Sequence, residues 1–405
     1  MNQENTYSQS LEIQLNELLN ENLSLVVHRE NTSFDELTKP FGNRIVLFGA
    51  GGLGRKTLSG LRKIGIDPLA FTDNNSRLWN TFVDGLQVLS PQDAAGQFGK
   101  TATFITTIWH GNSQDRQATR LKQLIDLNCV NIISFGHLFW KYPSIFFPHA
   151  YLELPSKFRQ HTEELRKLFY IWADDASRQE YISQLKFRMR MEFDSLTPPA
   201  SHAQYFPKDL FSVLPEEVFI DCGAFDGDTI QVFLQHQVNF SGEIFAFEPD
   251  SLNFQKLQKY ISTLSETIKK QLFVQQSPVG TCGQKVRFSS TGTVSSAATE
   301  NGDIEMDCIC IDQMATKCNP SFIKMDIEGA EVDALKGARE TIQRLRPILA
   351  ICVYHKPNDL WEIPLLISSY FDDYRLFLRP HDEEGWELVC YAIPPERLLT
   401  NNRRE

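Results

Sequence analysis

Between residues 218 and 248, two strand-like runs each end in an acidic residue, and a glycine loop follows the first of them. A run of apolar residues typical of a buried strand ends at Asp221, and the loop that follows contains Gly223 and Gly227. A second apolar run ends at Glu248, 21 residues after Gly227. In nucleotide-binding βαβ units, an acid about 20 residues after the glycine loop accepts hydrogen bonds from ribose hydroxyls. The spacing therefore predicts a nucleoside-containing ligand.

The loop spacing is D-x-G-x-x-x-G, which differs from the G-x-G-x-x-G pattern of dinucleotide sites. An acid at the strand tip would repel a pyrophosphate, whereas it suits the ammonium group of a methionine moiety. We therefore predict S-adenosylmethionine as the cofactor. The predicted contacts are Asp221, Gly223, Phe225, Gly227, Asp228, Glu248, Ser277 and Asp326.

A second set of ionisable residues follows two further strand-like runs. Asp326, Glu328 and Glu331 come after the first run and His355 after the second. Because open α/β sheets bind ligands at the carboxyl ends of their strands, we expect these four residues to be catalytic. A positioned base accelerates reaction of an alcohol by roughly 10²–10⁴-fold, and the unperturbed pKa of histidine suits that role. Asp326 and His355 are the pair that we expect to meet an acceptor hydroxyl.

Two alternative interpretations of this set remain open. Glu328 and Glu331 are also favoured in the first turn of a helix by the helix dipole. Asp326, Glu328 and His355 could instead hold a divalent metal that polarises the hydroxyl, although our prediction is a site without metal.

Four motifs occur in the same order as in a known family: D-C-G-A-F-D-G-D, F-E-P-D, K-M-D-I-E-G-A-E and Y-H-K-P. With these motifs, roughly residues 205–395 resemble the FkbM-type methyltransferases. The resemblance implies a class I methyltransferase fold and transfer of a methyl group from S-adenosylmethionine to oxygen. Typical acceptors in this family are hydroxyls of natural products or glycans.

The N-terminal part contains a complete G-x-G-x-x-G pattern between a predicted strand and helix. Its glycines are Gly49, Gly51 and Gly54, and Asp73 lies 19 residues after Gly54, where a ribose-binding acid would be. This stretch resembles the Rossmann-like modules of sugar-modifying enzymes. These four residues form a candidate second nucleotide site. The alternative is a structural or partner-binding role, because glycines also permit tight packing of strand and helix.

Alternating strand and helix patterns in both halves predict an α/β protein with two Rossmann-like parallel-sheet domains joined by a helical segment. Just before the strands of the methyltransferase core, Gln204–Pro207 is interpreted as lying over the cofactor. The predicted divisions are an N-terminal helical arm over 1–40, a small Rossmann-like domain over 41–140, a helical linker over 141–200 and the methyltransferase domain over 201–405.

Composition and charge narrow the classes of binding partner and the cellular compartment that we expect. The formal net charge is −11, from 40 basic and 51 acidic residues, which disfavours a nucleic-acid substrate. The first residues lack a signal-peptide pattern, and no apolar run approaches the ~18 residues of a membrane span. We therefore predict a soluble cytoplasmic protein without membrane contacts. Cys308 and Cys310, among eight cysteines, are interpreted as buried apolar residues rather than metal ligands or half-cystines.

The sequence thus predicts an S-adenosylmethionine-dependent O-methyltransferase acting on a small molecule or a glycan. Two alternatives are kept. One is a nucleotide-sugar oxidoreductase that binds NAD at the Gly49 loop, and the other is a catalytically inactive binding protein. The acceptor and the oligomeric state do not follow from the sequence.

Overall fold

The computed structural model describes residues 2–110, 116–237, 239–288 and 304–399. The chain divides into two units, each built from several segments of the sequence. Unit 1 comprises 1–166, 179–198 and 382–386, and unit 2 comprises 167–178, 199–381 and 387–405. The predicted linker 141–200 is therefore divided between the two units.

Unit 1 contains a sheet of short strands, as the alternating pattern predicts, and β1, β2 and β5 are buried along their whole length. Its order is β3-β4-β2-β1-β5-β6, and every pair is parallel except β3 with β4. The strands are β1 Ile45–Phe48, β2 Ala70–Thr72, β3 Phe82–Val83, β4 Leu86–Leu89, β5 Thr103–Thr106 and β6 Ile132–Ser134.

Helices account for much of the rest of unit 1. They are α1 Asn2–Leu19, α2 Leu23–Thr38, α3 Gly52–Lys63, α4 Pro91–Phe98, α5 Gln117–Asp126, α6 Gly136–Lys141, α7 Pro143–Phe146 and α8 Pro155–Gln160. The helical pattern of the sequence predicts that α5 starts at Asp115, which lies outside the described residues. Helices α9 Thr162–Ile171 and α10 Asp175–Arg190 contribute residues to both units.

The N-terminal helices are packed into unit 1 and do not form a separate arm. Leu11, Leu15 and Leu18 in α1 are fully buried, as is Val26 in α2. Burying a leucine side chain stabilises the folded state by about 1.5–3 kcal/mol, so this face of α1 contributes to the core. The boundary predicted at residue 40 therefore does not mark the edge of a unit.

Unit 2 contains a seven-stranded sheet with the order β14-β15-β13-β12-β7-β8-β9. The pairs from β13 to β9 are parallel, and β15 is antiparallel to both β13 and β14. The strands of this sheet are β7 Val218–Cys222, β8 Glu243–Phe247, β9 Leu272–Gln275, β12 Phe322–Met325, β13 Ile348–Cys352, β14 Arg375–Pro380 and β15 Leu388–Ile393. β10 Lys285–Phe288 and β11 Ile304–Asp307 form a separate antiparallel pair.

Helices connect the strands of unit 2. They are α11 Asp228–Gln235, α12 Ser251–Ser262, α13 Glu266–Lys270, α14 Ile311–Met314, α15 Glu331–Lys336, α16 Arg339–Leu345 and α17 Asp359–Tyr370. Strands β12, β13 and β15 are buried along their whole length, which explains why their sequences are nearly continuous apolar runs. Asp250 caps α12 by accepting hydrogen bonds from the amides of Leu252 and Asn253.

Cys310 is a half-cystine, whereas the sequence predicts a buried apolar residue. It forms a disulfide with Cys282 across a sequence separation of 28 residues, with the two Cα atoms 4.8 Å apart. This bond also removes Cys310 from any cysteine-based metal cluster. As a separate observation, no helix within the described residues combines the length and apolar character needed to cross a bilayer.

Candidate active site

The candidate site lies where β7 and β12 end side by side. Their parallel register pairs Asp221 with Lys324, so the loop after β7 and the turn after β12 begin next to each other. Gly223 has a φ of +81°, and a Cβ atom at this position would lie 1.9 Å from the carbonyl oxygen of Asp326. The loop therefore requires glycine here, because only glycine permits this conformation and this close backbone approach.

Asp221 is a fully buried acid at the strand tip. The Nζ atom of Lys324 lies 3.0 Å from Oδ1 of Asp221 but hydrogen-bonds to the carbonyl oxygen of Gly223, at 2.6 Å. Neither carboxylate oxygen of Asp221 accepts a hydrogen bond from the described residues. Burial raises the pKa of Asp221 to about 6, although the Lys324 charge opposes this. The strand tip thus presents a carboxylate with unused acceptor capacity.

Glu248 holds the glycine loop at the end of β8. Its carboxylate accepts hydrogen bonds from the backbone amides of Phe225, at 2.9 Å, and of Asp250, at 2.8 Å. Phe225 adopts a φ of +46° and Gly227 a φ of +93°, so the loop is tightly bent at both positions. Burial raises the pKa of Glu248 to about 7. Two of its roughly four lone-pair positions remain for a ligand.

Two other predicted cofactor contacts are engaged locally. Gly227 rather than Asp228 is the N-cap residue of α11, and Oδ1 of Asp228 accepts a hydrogen bond from the amide of Thr229. The hydroxyl of Ser277 donates to the carbonyl oxygen of Asp307 at 2.7 Å. Their contact with a cofactor stays a prediction.

His355 lies between carboxylates from the turn after β12 and from the first residue of α15. Its Nδ1 atom is 2.8 Å from Oε1 of Glu331, and its Nε2 atom is 3.2 Å from Oδ1 of Asp326. Glu328 is also near, with Oε2 3.9 Å from the same Nε2 atom. The fold thus brings all four predicted catalytic residues together. The local cause is the left-handed turn at Glu328 and Gly329, with φ values of +55° and +91°.

Burial and neighbouring charges shift the pKa values of these groups in different directions. Burial disfavours the His355 imidazolium, but Glu331 and Asp326 outweigh that effect and raise its pKa well above the usual value. Burial likewise opposes ionisation of Asp326, but the His355 hydrogen bond and the Lys324 charge lower its pKa. Burial raises the pKa of Glu328 to about 7 despite the His355 charge. His355 and Asp326 therefore form an ion pair at neutral pH, which removes the reason for assigning His355 as the base.

The geometry also changes which residues could bind a metal. Asp326, Glu331 and His355 offer ligand atoms within 4.8 Å of one another, whereas the predicted set had Glu328 in place of Glu331. The reason is that Glu331 begins α15 and faces Nδ1 of His355. Both ring nitrogens of His355 face carboxylates, and the raised pKa of His355 keeps both protonated, so neither nitrogen has a lone pair for a metal.

Two residues near this site were missed by the sequence analysis. Lys324 is 2% exposed, and a lysine inside an apolar strand is a signal, because a buried ammonium needs a partner. Glu387 accepts hydrogen bonds from Gln204, at 2.6 Å, and from Tyr354, at 2.9 Å. Its position gave no sequence signal, because it follows a polar turn between two strands.

The glycine loop of unit 1 is held by its own residues. Oδ2 of Asp73 accepts a hydrogen bond from the Ala50 amide and Oδ1 from the Asn75 amide, both at 2.8 Å. A Cβ atom on Gly54 would lie 1.9 Å from the Gly49 carbonyl oxygen, whereas one on Gly51 would meet nothing within 4 Å. Asp73 and Gly54 therefore have structural roles, and nucleotide binding at this loop stays a prediction.

Comparisons with known proteins agree with this architecture. The family model for the methyltransferase FkbM domain matches residues 221–385. The crystal structure of methyltransferase FkbM from Methylobacillus flagellatus KT is similar over 95% of this chain and 100% of its own, with 22% identity and a TM-score of 0.76.

Other solved structures are more distant. A putative rRNA methylase from Clostridium thermocellum covers 45% of this chain and 89% of its own, with 11% identity and a TM-score of 0.29. Fibrillarin from Aeropyrum pernix covers 45% of this chain and 69% of its own, with 10% identity and a TM-score of 0.27. No curated protein sequence matches the chain.

The family match begins at the buried acid of β7 and extends past β14, so it contains the glycine loop, both acidic strand ends and His355. The full-length structural likeness shows a shared fold. The predicted family resemblance is confirmed: residues 221–385 match the model of the methyltransferase FkbM domain.

Proposed function

We propose that this protein transfers the methyl group of S-adenosylmethionine to a hydroxyl oxygen of an uncharged small molecule or glycan. Family membership supports methyl transfer in general. The observation that carries the finer proposal is the backbone contact between Gly223 of the glycine loop and Asp326. It places a carboxylate cluster beside the loop that would hold the methyl donor.

The residues around the loop fit a sulfonium cofactor. Asp221 offers a buried carboxylate with unused acceptor capacity, which suits the ammonium of the methionine moiety. Glu248 retains lone pairs for ribose hydroxyls after binding the loop amides. When bound, S-adenosylmethionine supplies an electrophilic methyl carbon that bonds to the acceptor oxygen as the carbon–sulfur bond breaks and a proton is released.

Proton removal requires a group that is ionised but basic near neutral pH. Asp326 is a weak base because its pKa is lowered, so we assign it to accepting a hydrogen bond from the acceptor hydroxyl and orienting it. Glu328 is a better proton acceptor, because burial raises its pKa to about 7. Its side chain is 27% exposed and therefore accessible at the site. The charge of His355 stabilises both neighbouring carboxylates, and Glu331 holds its ring.

The charge of the site favours an uncharged acceptor. Asp326, Glu328 and Glu331 surround a single imidazolium, that of His355, so the cluster is negative overall when Glu328 is ionised. The negative charge of this cluster would repel a carboxylate or phosphate on the acceptor. Neutral hydroxyls can donate to these carboxylates, which supports alcohols and sugars as acceptors.

Calorimetry with S-adenosylhomocysteine and, separately, with NAD tests the cofactor. We expect saturable binding of S-adenosylhomocysteine that Asp221→Asn weakens, and binding of NAD alone would favour the oxidoreductase alternative. A radiolabelled methyl-transfer screen over neutral alcohols, monosaccharides and oligosaccharides then tests the acceptor class. Labelling of only amine or carboxylate acceptors would contradict the proposal.

Treatment with a chelator tests the metal alternative. We expect methyl transfer to survive EDTA, because the His355 imidazolium has no lone pair with which to bind a metal. Loss of activity that added divalent ions restore would assign the hydroxyl activation to a metal.

A further inference from the structure

Tyr205 lies against the catalytic carboxylate in the segment that the sequence analysis placed over the cofactor. Its hydroxyl donates a hydrogen bond to Oδ2 of Asp326 at 2.7 Å, and the residue is 5% exposed. We propose that Tyr205 is a positioning residue for methyl transfer, which holds Asp326 in the orientation that accepts the substrate hydroxyl. This inference rests on the proposed function.

The direction of the Tyr205 hydrogen bond is fixed by Gln204. The Nε2 atom of Gln204 donates to the Tyr205 oxygen at 2.8 Å and to Oε2 of Glu387 at 2.6 Å. Because an amide nitrogen only donates, the Tyr205 oxygen is an acceptor in this contact. Its single proton is then available for Asp326, since the other neighbour, the Cys352 sulfur at 3.5 Å, is a weak acceptor.

The backbone of Tyr205 is held in an uncommon conformation. Its φ is +67°, a left-handed value that is rare for an aromatic residue. The Tyr391 hydroxyl oxygen accepts a hydrogen bond from the Tyr205 amide at 2.9 Å, and Nε2 of His381 in turn lies 2.7 Å from that oxygen. Such conformations persist where surrounding contacts enforce them, often at functional sites. Here the contacts direct the phenol towards Asp326.

Asp326 consequently has one contact on each oxygen: the Tyr205 hydroxyl donates a hydrogen bond to Oδ2, and Nε2 of His355 forms an ion pair with Oδ1 at 3.2 Å. These two contacts determine the plane of the carboxylate and leave lone pairs for a third donor. Without the Tyr205 hydroxyl, the carboxylate would turn about its single remaining contact. The acceptor hydroxyl would then be misaligned with the methyl group, and misalignment of this kind lowers the rate of the chemical step.

The test is Tyr205→Phe, which removes the hydroxyl and keeps the ring, compared with Tyr374→Phe. Tyr374 is also 5% exposed, and its hydroxyl donates to the Pro347 carbonyl oxygen at 2.6 Å, away from the catalytic residues. We expect Tyr205→Phe to lower kcat by about 10- to 100-fold, the effect of losing one hydrogen bond to a charged group. The acceptor KM and the Kd for S-adenosylhomocysteine should stay within about twofold, because the lost alignment affects the transition state more than the bound ground state.

Both variants should lower the melting temperature to a similar extent, but only Tyr205→Phe should lower kcat. Equal kcat in the wild type and Tyr205→Phe, or equal losses in both variants, would overturn the inference. Gln204→Met should also lower kcat, and combining it with Tyr205→Phe should add little if Gln204 acts through Tyr205.

A measurement without acceptor separates this inference from the proposed function. In protein labelled with ¹⁵N-histidine, the Nε2 resonance of His355 should shift in Tyr205→Phe and remain in place in Tyr374→Phe, because only the former releases Asp326. An unchanged resonance would contradict the positioning role even if no acceptor is found. Absence of methyl transfer by the wild type, together with the expected shift, would contradict the proposed function alone.

Discussion

The two glycine loops of this chain share a sequence scheme but differ in what their acids do. In unit 1, both oxygens of Asp73 are engaged by backbone amides of the loop and the following turn. In unit 2, the fully buried Asp221 forms an ion pair with Lys324, 3.0 Å from Oδ1, but neither of its oxygens accepts a hydrogen bond from the described residues. An acid that the protein already satisfies stabilises a loop, whereas a buried acid with unused capacity indicates a ligand.

The strand ends beside the two loops differ as well. In unit 1, β5 ends in Thr106 and is followed by Thr107, whose hydroxyl contacts the carbonyl oxygens of Phe48 and Gly49. In unit 2, β12 is followed by Asp326 and Glu328, which face His355. The glycines show where a ligand could approach, but ionisable groups next to them are needed for chemistry. This difference supports our placement of methyl transfer in unit 2.

The largest expected effect tests the chemistry of unit 2. Glu328→Gln should lower kcat by roughly 10²–10⁴-fold, the contribution of a positioned base, with the Kd for S-adenosylhomocysteine unchanged. In the wild type, the rate should fall as the pH drops through about 7, because burial raises the pKa of Glu328 to about 7 and its protonated form accepts no proton. Rate measurements between about pH 5 and pH 9 check both statements.

Glu248 and Asp359 also have pKa values raised by burial to about 7, so the variant must identify the titrating group. We expect the acidic limb to disappear in Glu328→Gln. An unchanged limb in that variant would move the base to another residue, and full activity would remove Glu328 from the mechanism.

The next effect compares the glycines of the two loops. Gly223→Ala should weaken S-adenosylhomocysteine binding by about 100-fold or more, because the methyl group would strain a left-handed backbone and strike the Asp326 carbonyl. Gly51→Ala is the matched control, since nothing lies within 4 Å of its Cβ position. Calorimetry on both variants measures the difference. Equal affinities would mean that the unit 2 loop does not hold the cofactor.

The smallest effect compares the acids after the two loops. Glu248→Ala should weaken S-adenosylhomocysteine binding by roughly 1.5–3 kcal/mol for each charged hydrogen bond lost, which is about 10- to 100-fold. Asp73→Ala should leave that affinity unchanged and instead lower the melting temperature, because two loop amides lose their acceptor. Loss of cofactor binding in a folded Asp73→Ala variant would contradict the division of roles between the units.

Local patterns were sufficient for much of the secondary structure. Ser90 and Pro91 open α4 as its N-cap and first helical residue, which their residue types favour, because capping depends on adjacent residues alone. The burial of α1 was not foreseen, because the polarity of residues 1–40 does not reveal that its leucines enter a core. The Cys282–Cys310 disulfide was missed, since pairing depends on the fold of the intervening residues.

The sequence by itself determined the family resemblance and the identities of Asp221, Glu248, Asp326 and His355, because motif spacing fixes which residues follow each strand. Only the tertiary structure decided how those groups interact. The distances that link His355 to Glu331 and Asp326 join strand ends that are separated along the chain, and they raise one pKa while lowering another. The Tyr205 contact with Asp326 spans 121 residues, and no local pattern encodes it. Spacing is a property of the chain, whereas electrostatic coupling depends on distances that only folding creates.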